Sequence, residues 1–95
     1  MLYGASKAAV VHLTRTMARA LAPRFRVNAV SPGWVATEGT RVVSDQMVEE
    51  VKSLPIPRAG RPEEFASIVW WLAVDPAAAY ITGETVNANG GAVMA

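Results

Sequence analysis

The first 22 residues place apolar side chains at the period of an α-helix. The apolar stripe of this segment comprises Val10, Leu13, Met17 and Leu21. At 100° per residue, Tyr3 falls on the apolar stripe and Lys7 lies about 40° to one side of it. We therefore predict a helix over 2–22 in which Lys7 is the one cation that faces inward.

The rest of the chain alternates between strand and helix patterns. Pro23 ends the first helix, because its ring cannot continue the hydrogen-bond ladder. The elements predicted after it are a strand over 25–31, a loop over 32–57 with a short helix near 44–53, a helix over 61–74 and a strand over 84–89. A strand, crossover helices and a second strand form a right-handed unit with parallel strands. Because two strands make a poor sheet alone, the sequence resembles one edge of a larger α/β sheet.

Composition and charge exclude several classes of function. The net charge of +1 argues against nucleic acid or an anionic membrane as a partner, so a helix-turn-helix reading of the arginines is not supported. The absence of cysteine excludes a disulfide, a thiolate metal site and a cysteine nucleophile, and the single histidine argues against a zinc site. With no apolar run of roughly 18 residues and no signal-peptide pattern, we expect a soluble cytoplasmic protein.

Tyr3 and Lys7 stand four residues apart in "YGASK", so they share one face of the predicted helix. A lysine cation beside a phenol favours the phenolate, which prepares the phenol for general acid or base work on a carbonyl or hydroxyl group. The same spacing also arises when a tyrosine sits at a core edge and a lysine reaches toward water. The pair alone leaves both readings open.

Four blocks of the sequence resemble, in order and separation, signatures of the short-chain dehydrogenase/reductase family. These blocks are YGASKAAVVHLTRTMA, RVNAVSPGWVATE, GRPEEFASIVWWLA and YITGETVNANGG. The resemblance covers essentially the whole chain, and its ending is similar to the branch that includes 3-oxoacyl-carrier-protein reductases. It implies an α/β fold, the C-terminal part of a Rossmann-type doubly wound parallel sheet, and an NAD(P)-dependent oxidoreductase.

The resemblance also implies roles for individual residues. Tyr3 would be the acid/base that acts on a small-molecule carbonyl or secondary alcohol. Lys7 would tune Tyr3 and bind the nicotinamide ribose. The remaining cofactor residues would be Pro32 and Gly33 in the turn, Val35 through its backbone to the carboxamide, and Thr37 through its hydroxyl. Trp34 would form a wall of the site or cap a core, and 38–57 would be the variable substrate loop.

No glycine-rich strand–turn–helix for the pyrophosphate of NAD or NADP is found in the sequence. The resemblance therefore implies that the N-terminal dinucleotide-binding half is absent, and we expect the isolated chain to be inactive. An alternative of another class is a non-catalytic module that forms homo-oligomers, or associates with full-length relatives, through helix 2–22 and the C-terminal tail. The small-residue face of that helix comprises Ala5, Ala8, Ala9 and Thr16. For the adjacent Trp70 and Trp71, we expect one on the sheet and one on a neighbouring subunit, with a shared intramolecular core as the alternative.

Overall fold

The computed structural model describes residues 2–36 and 45–93, and for residues 2, 3, 45 and 46 it describes the backbone alone. The elements in chain order are α1 (Leu2–Leu21), β1 (Ala29–Pro32), α2 (Asp45–Lys52), α3 (Pro62–Val74), a 3₁₀ turn (Pro76–Ala78) and β2 (Thr85–Ala88). None of the helices in this part of the chain combines the length and apolar character needed to cross a bilayer.

Strands β1 and β2 are parallel neighbours, as the order of elements predicts. The register pairs Ala29 with Thr85 and continues to Pro32 with Ala88. Because α2 and α3 lie between the strands in sequence, the connection is a helical crossover. The carboxyl end of β1 then leads directly into the segment 33–36. Of the turn predicted at Pro32 and Gly33, Pro32 is the last residue of β1 and Gly33 is the first residue after it.

The pattern starts the first strand at Phe25, whereas β1 begins at Ala29. The residues just before Ala29 bind the loop that precedes β2 instead of forming a strand ladder: the Val27 N–H donates to Thr82 Oγ1 (3.1 Å), and the Val27 carbonyl accepts from the Gly83 N–H (2.7 Å). The amide of Asn28 donates from Nδ2 to the Ile81 carbonyl (3.0 Å), and its Oδ1 accepts from the Glu84 N–H (3.0 Å). A polar side chain that binds backbone on a distant loop gives no period-2 signal, so the alternation of Phe25 with its neighbours is misleading.

Arg26 joins the end of α3 to the loop that precedes β2. Its Nη2 donates to the Leu72 carbonyl (2.8 Å) and the Ala73 carbonyl (3.2 Å), and its Nη1 donates to the Ile81 carbonyl (3.1 Å). The last carbonyls of a helix lack partners within the helix, and a cation there also complements the helix dipole. Arg26 therefore holds α3, the loop and the approach to β1 in one arrangement.

The face of α1 that packs inward is not the apolar stripe. Thr14 and Ala18 are buried, at 6% and 4% exposure, whereas the members of the apolar stripe range from 39% (Leu21) to 56% (Leu13). Small residues allow close approach, and the Ala18 Cβ lies 3.5 Å from where a Cβ on Gly83 would stand. Lys7 shares this inward face at 100° per residue and is half-buried, which confirms the prediction that it faces inward.

Helix α3 begins as predicted, with Pro62 in its first turn followed by two glutamates. Of its predicted apolar face, Leu72 is buried and Phe65 and Ile68 are partly buried, but Val69 is exposed. Trp70 and Trp71 are 70% and 41% exposed, so the reading that both belong to an intramolecular core is wrong.

Candidate active site

Lys7 lies in a cleft between α1 and the end of β1. The cleft has a volume of about 400 Å³. Residues from α1, from β1 with its following turn, and from β2 line it: Ser6, Lys7, Val10, Val11, Ala29–Gly33 and Thr85. The structure therefore brings together three of the residues singled out from the sequence, namely Lys7, Pro32 and Gly33. A cleft of this size lies within the usual range for small-molecule sites.

The structure describes two other predicted site residues, Tyr3 and Thr37, only in part or not at all. Tyr3 belongs to α1, one helical turn before Lys7, and its side chain lies outside the described residues. Thr37 lies outside them altogether. The helix nevertheless places Tyr3 and Lys7 on neighbouring turns of one face, as their spacing requires.

Gly33 makes the close approach that begins the turn after β1. Its N–H donates to the Ala88 carbonyl at 3.2 Å. A Cβ on Gly33 would lie 2.9 Å from the Cβ of Asn89 and 3.0 Å from its Cα. Any side chain at this position would displace backbone, so the contact between the two strand ends requires glycine.

Val35 offers an unused backbone donor and acceptor. It forms a parallel bridge with Gly60, in which the Gly60 N–H donates to the Trp34 carbonyl (2.8 Å) and the Gly60 carbonyl accepts from the Ala36 N–H (2.8 Å). In such a bridge the central residue directs its own N–H and C=O to the opposite side. Within 2–36 and 45–93, these two groups of Val35 have no hydrogen-bond partner. They are therefore free to bind a ligand group that both donates and accepts, such as a carboxamide.

Gly60 is a candidate site residue that the sequence pattern does not reveal. A Cβ on Gly60 would lie 2.5 Å from Cζ of Phe65, so the aromatic ring rests directly against this glycine. A glycine immediately before a helix start was the available signal, but its partner is 25 residues earlier in the chain.

Arg58 and Glu64 form a two-point ion pair beside Gly60. Arg58 Nη1 lies 2.7 Å from Glu64 Oε1, and Arg58 Nη2 lies 2.9 Å from Glu64 Oε2. The hydrogen bond from Arg58, followed by that from the Arg61 N–H, lowers the pKa of Glu64 from 4.5 to about 2. A carboxyl whose pKa is depressed by folding stabilises the fold above its unfolded pKa. The contribution of Glu64 is thus complete above about pH 4.5 and is lost as the pH falls toward 2.

Trp34 does not line the cleft that contains Lys7. It lines a second cavity of about 650 Å³, together with Ile56, Phe65 and Ile68. Its side chain is 38% exposed. Since its carbonyl is bound by Gly60 and it immediately precedes Val35, its indole reports on the position of the segment 33–36.

Comparisons with known proteins identify the family of the chain. Residues 1–93 match a family profile described as enoyl-(acyl carrier protein) reductase. A 3-oxoacyl-[acyl-carrier-protein] reductase of Synechocystis is 47% identical over 93 residues, which is 97% of this chain and 37% of that protein. The corresponding reductase of Vibrio harveyi is 46% identical over 94 residues, with 97% and 38% covered. The chain belongs to the short-chain dehydrogenase/reductase family.

A solved member of the family supports the fold. A short-chain dehydrogenase/reductase from Brucella melitensis, described as a glucose/ribitol dehydrogenase, matches with a TM-score of 0.85 and 45% identity. The match covers 98% of this chain and 38% of that structure. This confirms the predicted fold class, a part of a Rossmann-type α/β fold. The chain spans less than two-fifths of the length of the curated relatives that it matches.

Proposed function

We propose that this chain supplies the nicotinamide-binding and proton-transfer residues of an NAD(P)-dependent oxidoreductase. The reaction is hydride transfer between the cofactor and a carbonyl or secondary-alcohol carbon. The observation that carries the proposal is the free N–H and C=O of Val35, held in place by Gly60 just after the turn beside Lys7. A carboxamide has both a carbonyl acceptor and an amide donor, so it matches this pair of backbone groups.

The residues of the chain have distinct roles in this proposal. The bound nicotinamide supplies or accepts the hydride. Val35 orients the carboxamide through its backbone, and Gly33, two residues earlier, lines the cleft and lets the chain pass close to the end of β2. Lys7 binds the ribose and, as a cation one turn away, favours the phenolate of Tyr3. Tyr3 gives its proton to the carbonyl oxygen in reduction and takes it from the hydroxyl in oxidation. Pro32 shapes the turn and Thr37 supplies a hydroxyl, at positions that match the family motif.

We further infer that the substrate is a 3-oxoacyl group. The support is the identity of 46–47% to proteins named 3-oxoacyl-[acyl-carrier-protein] reductases. A ketone oxygen that becomes a hydroxyl needs a proton donor, which is the role assigned to Tyr3. The description of the matching family profile names an enoyl reductase instead, so reduction of a 3-oxoacyl thioester should be compared with that of a 2-enoyl thioester.

Replacement of Val35 tests the proposed contact between backbone and carboxamide. We expect Val35→Pro to weaken NADPH or NADH binding by about tenfold, because proline removes the N–H that donates to the carboxamide. Val35→Ala keeps the backbone donor and acceptor and should bind within about twofold of the unchanged protein. Isothermal titration with both cofactors gives the affinities. A strong effect of Val35→Ala with none of Val35→Pro would contradict the assignment, since it would place the contact on the side chain.

A second candidate function is association of the chain with a second copy through α1. It is favoured by the exposure of the whole apolar stripe of α1, which would otherwise face water. Helices commonly cover such stripes by packing against each other. The small-residue face predicted for this role, which begins at Ala5, is also exposed.

Two substitutions that each introduce a carboxylate on α1 distinguish which of these two faces forms the contact. We expect Leu13→Glu to shift the chain from dimer to monomer in sedimentation equilibrium, because a carboxylate would be buried in the middle of the apolar stripe. Ala8→Glu places the same charge on the small-residue face, about 140° around the helix from Leu13, and should leave the dimer intact. The reverse result would move the interface to the small-residue face, and a monomeric unchanged chain would remove this second function.

A further inference from the structure

Within 2–36 and 45–93, the hydrogen bonds that hold the two peptide groups flanking Val35 come from one residue, Gly60. Both hydrogen bonds of the bridge involve Gly60, through its N–H to Trp34 and its C=O to Ala36, each at 2.8 Å. A displacement of Gly60 would therefore displace the peptide groups on either side of Val35. Anything that holds Gly60 also holds the donor and acceptor of Val35.

The ion pair of Arg58 and Glu64 binds the chain on both sides of Gly60. On one side, Arg58 Nη1 donates to the carbonyl of Ala59 (3.2 Å). On the other side, Glu64 Oε1 accepts from the N–H of Arg61 (2.9 Å). Because the two side chains are joined to each other by two hydrogen bonds, they form a closed connection from Ala59 to Arg61 around Gly60.

Phe65 restricts Gly60 from a third direction. Its ring stands where any side chain on Gly60 would have to lie, since a Cβ at that position would come within 2.5 Å of the ring atom Cζ. Glu64 and Phe65 are consecutive residues in the first turns of α3, so the rigid helix supplies both constraints. The loop residue Gly60 is thus fixed to α3, and Val35 is fixed to Gly60.

We propose that Glu64, through its pair with Arg58, is a positioning residue that holds the backbone of Val35 in the geometry needed to receive the nicotinamide carboxamide. The inference rests on the function proposed above. It means that residues outside the cleft help to hold the cofactor-binding backbone in place. Glu64 does not touch the cofactor. Its effect reaches Val35 through Arg58, Gly60 and the two hydrogen bonds of the bridge.

Glu64 also caps α3 by accepting from the Arg61 N–H. A variant that keeps this cap but weakens the pair with Arg58 distinguishes the capping role from the positioning role. Glu64→Gln keeps a side-chain oxygen that can accept from the Arg61 N–H, but it loses the charge and one of the two acceptors for Arg58. The matched control is Glu63→Gln, which removes a charge from the same helical turn. Glu63 has no side-chain partner within the described part of the chain.

Trp34 provides a direct readout of the segment that contains Val35. The protein has three tryptophans, so Trp70→Phe and Trp71→Phe leave Trp34 as the only one. In this background we expect Glu64→Gln to move the Trp34 emission to longer wavelength and to weaken NADPH binding about tenfold. Glu63→Gln should change neither quantity. Arg58→Met should reproduce the effect of Glu64→Gln, and the double variant should add little, because both changes remove the same pair.

The outcomes distinguish this inference from the function on which it rests. Emission and affinity that remain unchanged in both Glu64→Gln and Arg58→Met, with the fold intact, would overturn the positioning role. If the parent protein binds neither NADPH nor NADH, the proposed function fails. In that case, a shift of the Trp34 emission in Glu64→Gln still shows whether Glu64 holds the segment 33–36 in position. Measurements made well below the unfolding temperature of each variant exclude a general loss of stability as the cause, and Arg58→Lys, which keeps the cation, should restore part of the affinity.

Discussion

We expect Tyr3→Phe to lower turnover in the proposed oxidoreductase reaction by about 10²–10⁴-fold, the usual contribution of general acid–base catalysis. The change removes one hydroxyl and keeps the ring, so the volume of the side chain is nearly unchanged. Cofactor affinity should stay within about twofold, because the proposed cofactor contacts belong to Lys7 and to residues between 32 and 37. Single-turnover oxidation of NADPH with a 3-oxoacyl thioester measures the loss on the chemical step.

The chain offers a matched control for this experiment. Tyr80 is its second tyrosine and is fully exposed, in the loop between α3 and β2. Tyr80→Phe should leave turnover unchanged. Near-normal turnover of Tyr3→Phe would refute the role of Tyr3, and an equal loss in both variants would indicate a general effect of removing a hydroxyl.

The largest effect on stability is expected from Arg26→Met. The change removes three hydrogen bonds, donated to Leu72, Ala73 and Ile81, and leaves those carbonyls without the charged donor. Hydrogen bonds from charged groups contribute about 1.5–3 kcal/mol each and are not additive, so we expect the free energy of unfolding to fall by about 3 kcal/mol. Methionine retains much of the aliphatic volume of arginine, so the loss reports the hydrogen bonds rather than packing. Urea unfolding followed by circular dichroism measures it.

Arg24→Met is the control for Arg26. Arg24 is exposed, and its side chain has no partner within 2–36 and 45–93. Its replacement should change the free energy of unfolding by less than about 0.5 kcal/mol, as is usual for surface positions. Similar losses for the two variants would show that net charge, and not the connection between α3 and β1, determines the stability.

The sequence pattern predicted the helices and strands correctly where neighbouring residues alone determine them. The start of α3 follows from Pro62 and the two glutamates that come after it, and the parallel pairing follows from the order of the elements. The inward face of α1 did not follow from hydrophobicity, because close packing against the chain near Gly83 favours the small Ala18 over the larger members of the apolar stripe. The start of β1 at Ala29 depends on Asn28, whose partners are more than 50 residues away.

The candidate site divides in the same way. The spacing of Tyr3 and Lys7 and the turn at Gly33 are readable in the sequence, because helix geometry and turn chemistry are local. The role of Gly60 cannot be read from the sequence, because it depends on a bridge to Val35. The path of the chain between these two residues does not follow from the local pattern. The pair of Arg58 and Glu64 is connected to the candidate site only through that bridge. Within the sequence alone it is an ordinary helix cap with a nearby arginine.

The most direct test of the central claim is the amide resonance of Val35 in protein labelled with ¹⁵N-valine, assigned by its loss in Val35→Ala. Addition of NADPH or NADH should shift this resonance strongly, because the carboxamide is proposed to bind the Val35 N–H. ADP-ribose, which lacks the nicotinamide ring, should leave it nearly unchanged. A Val35 amide that does not move at saturating cofactor would show that the nicotinamide binds elsewhere and would contradict the proposed contact.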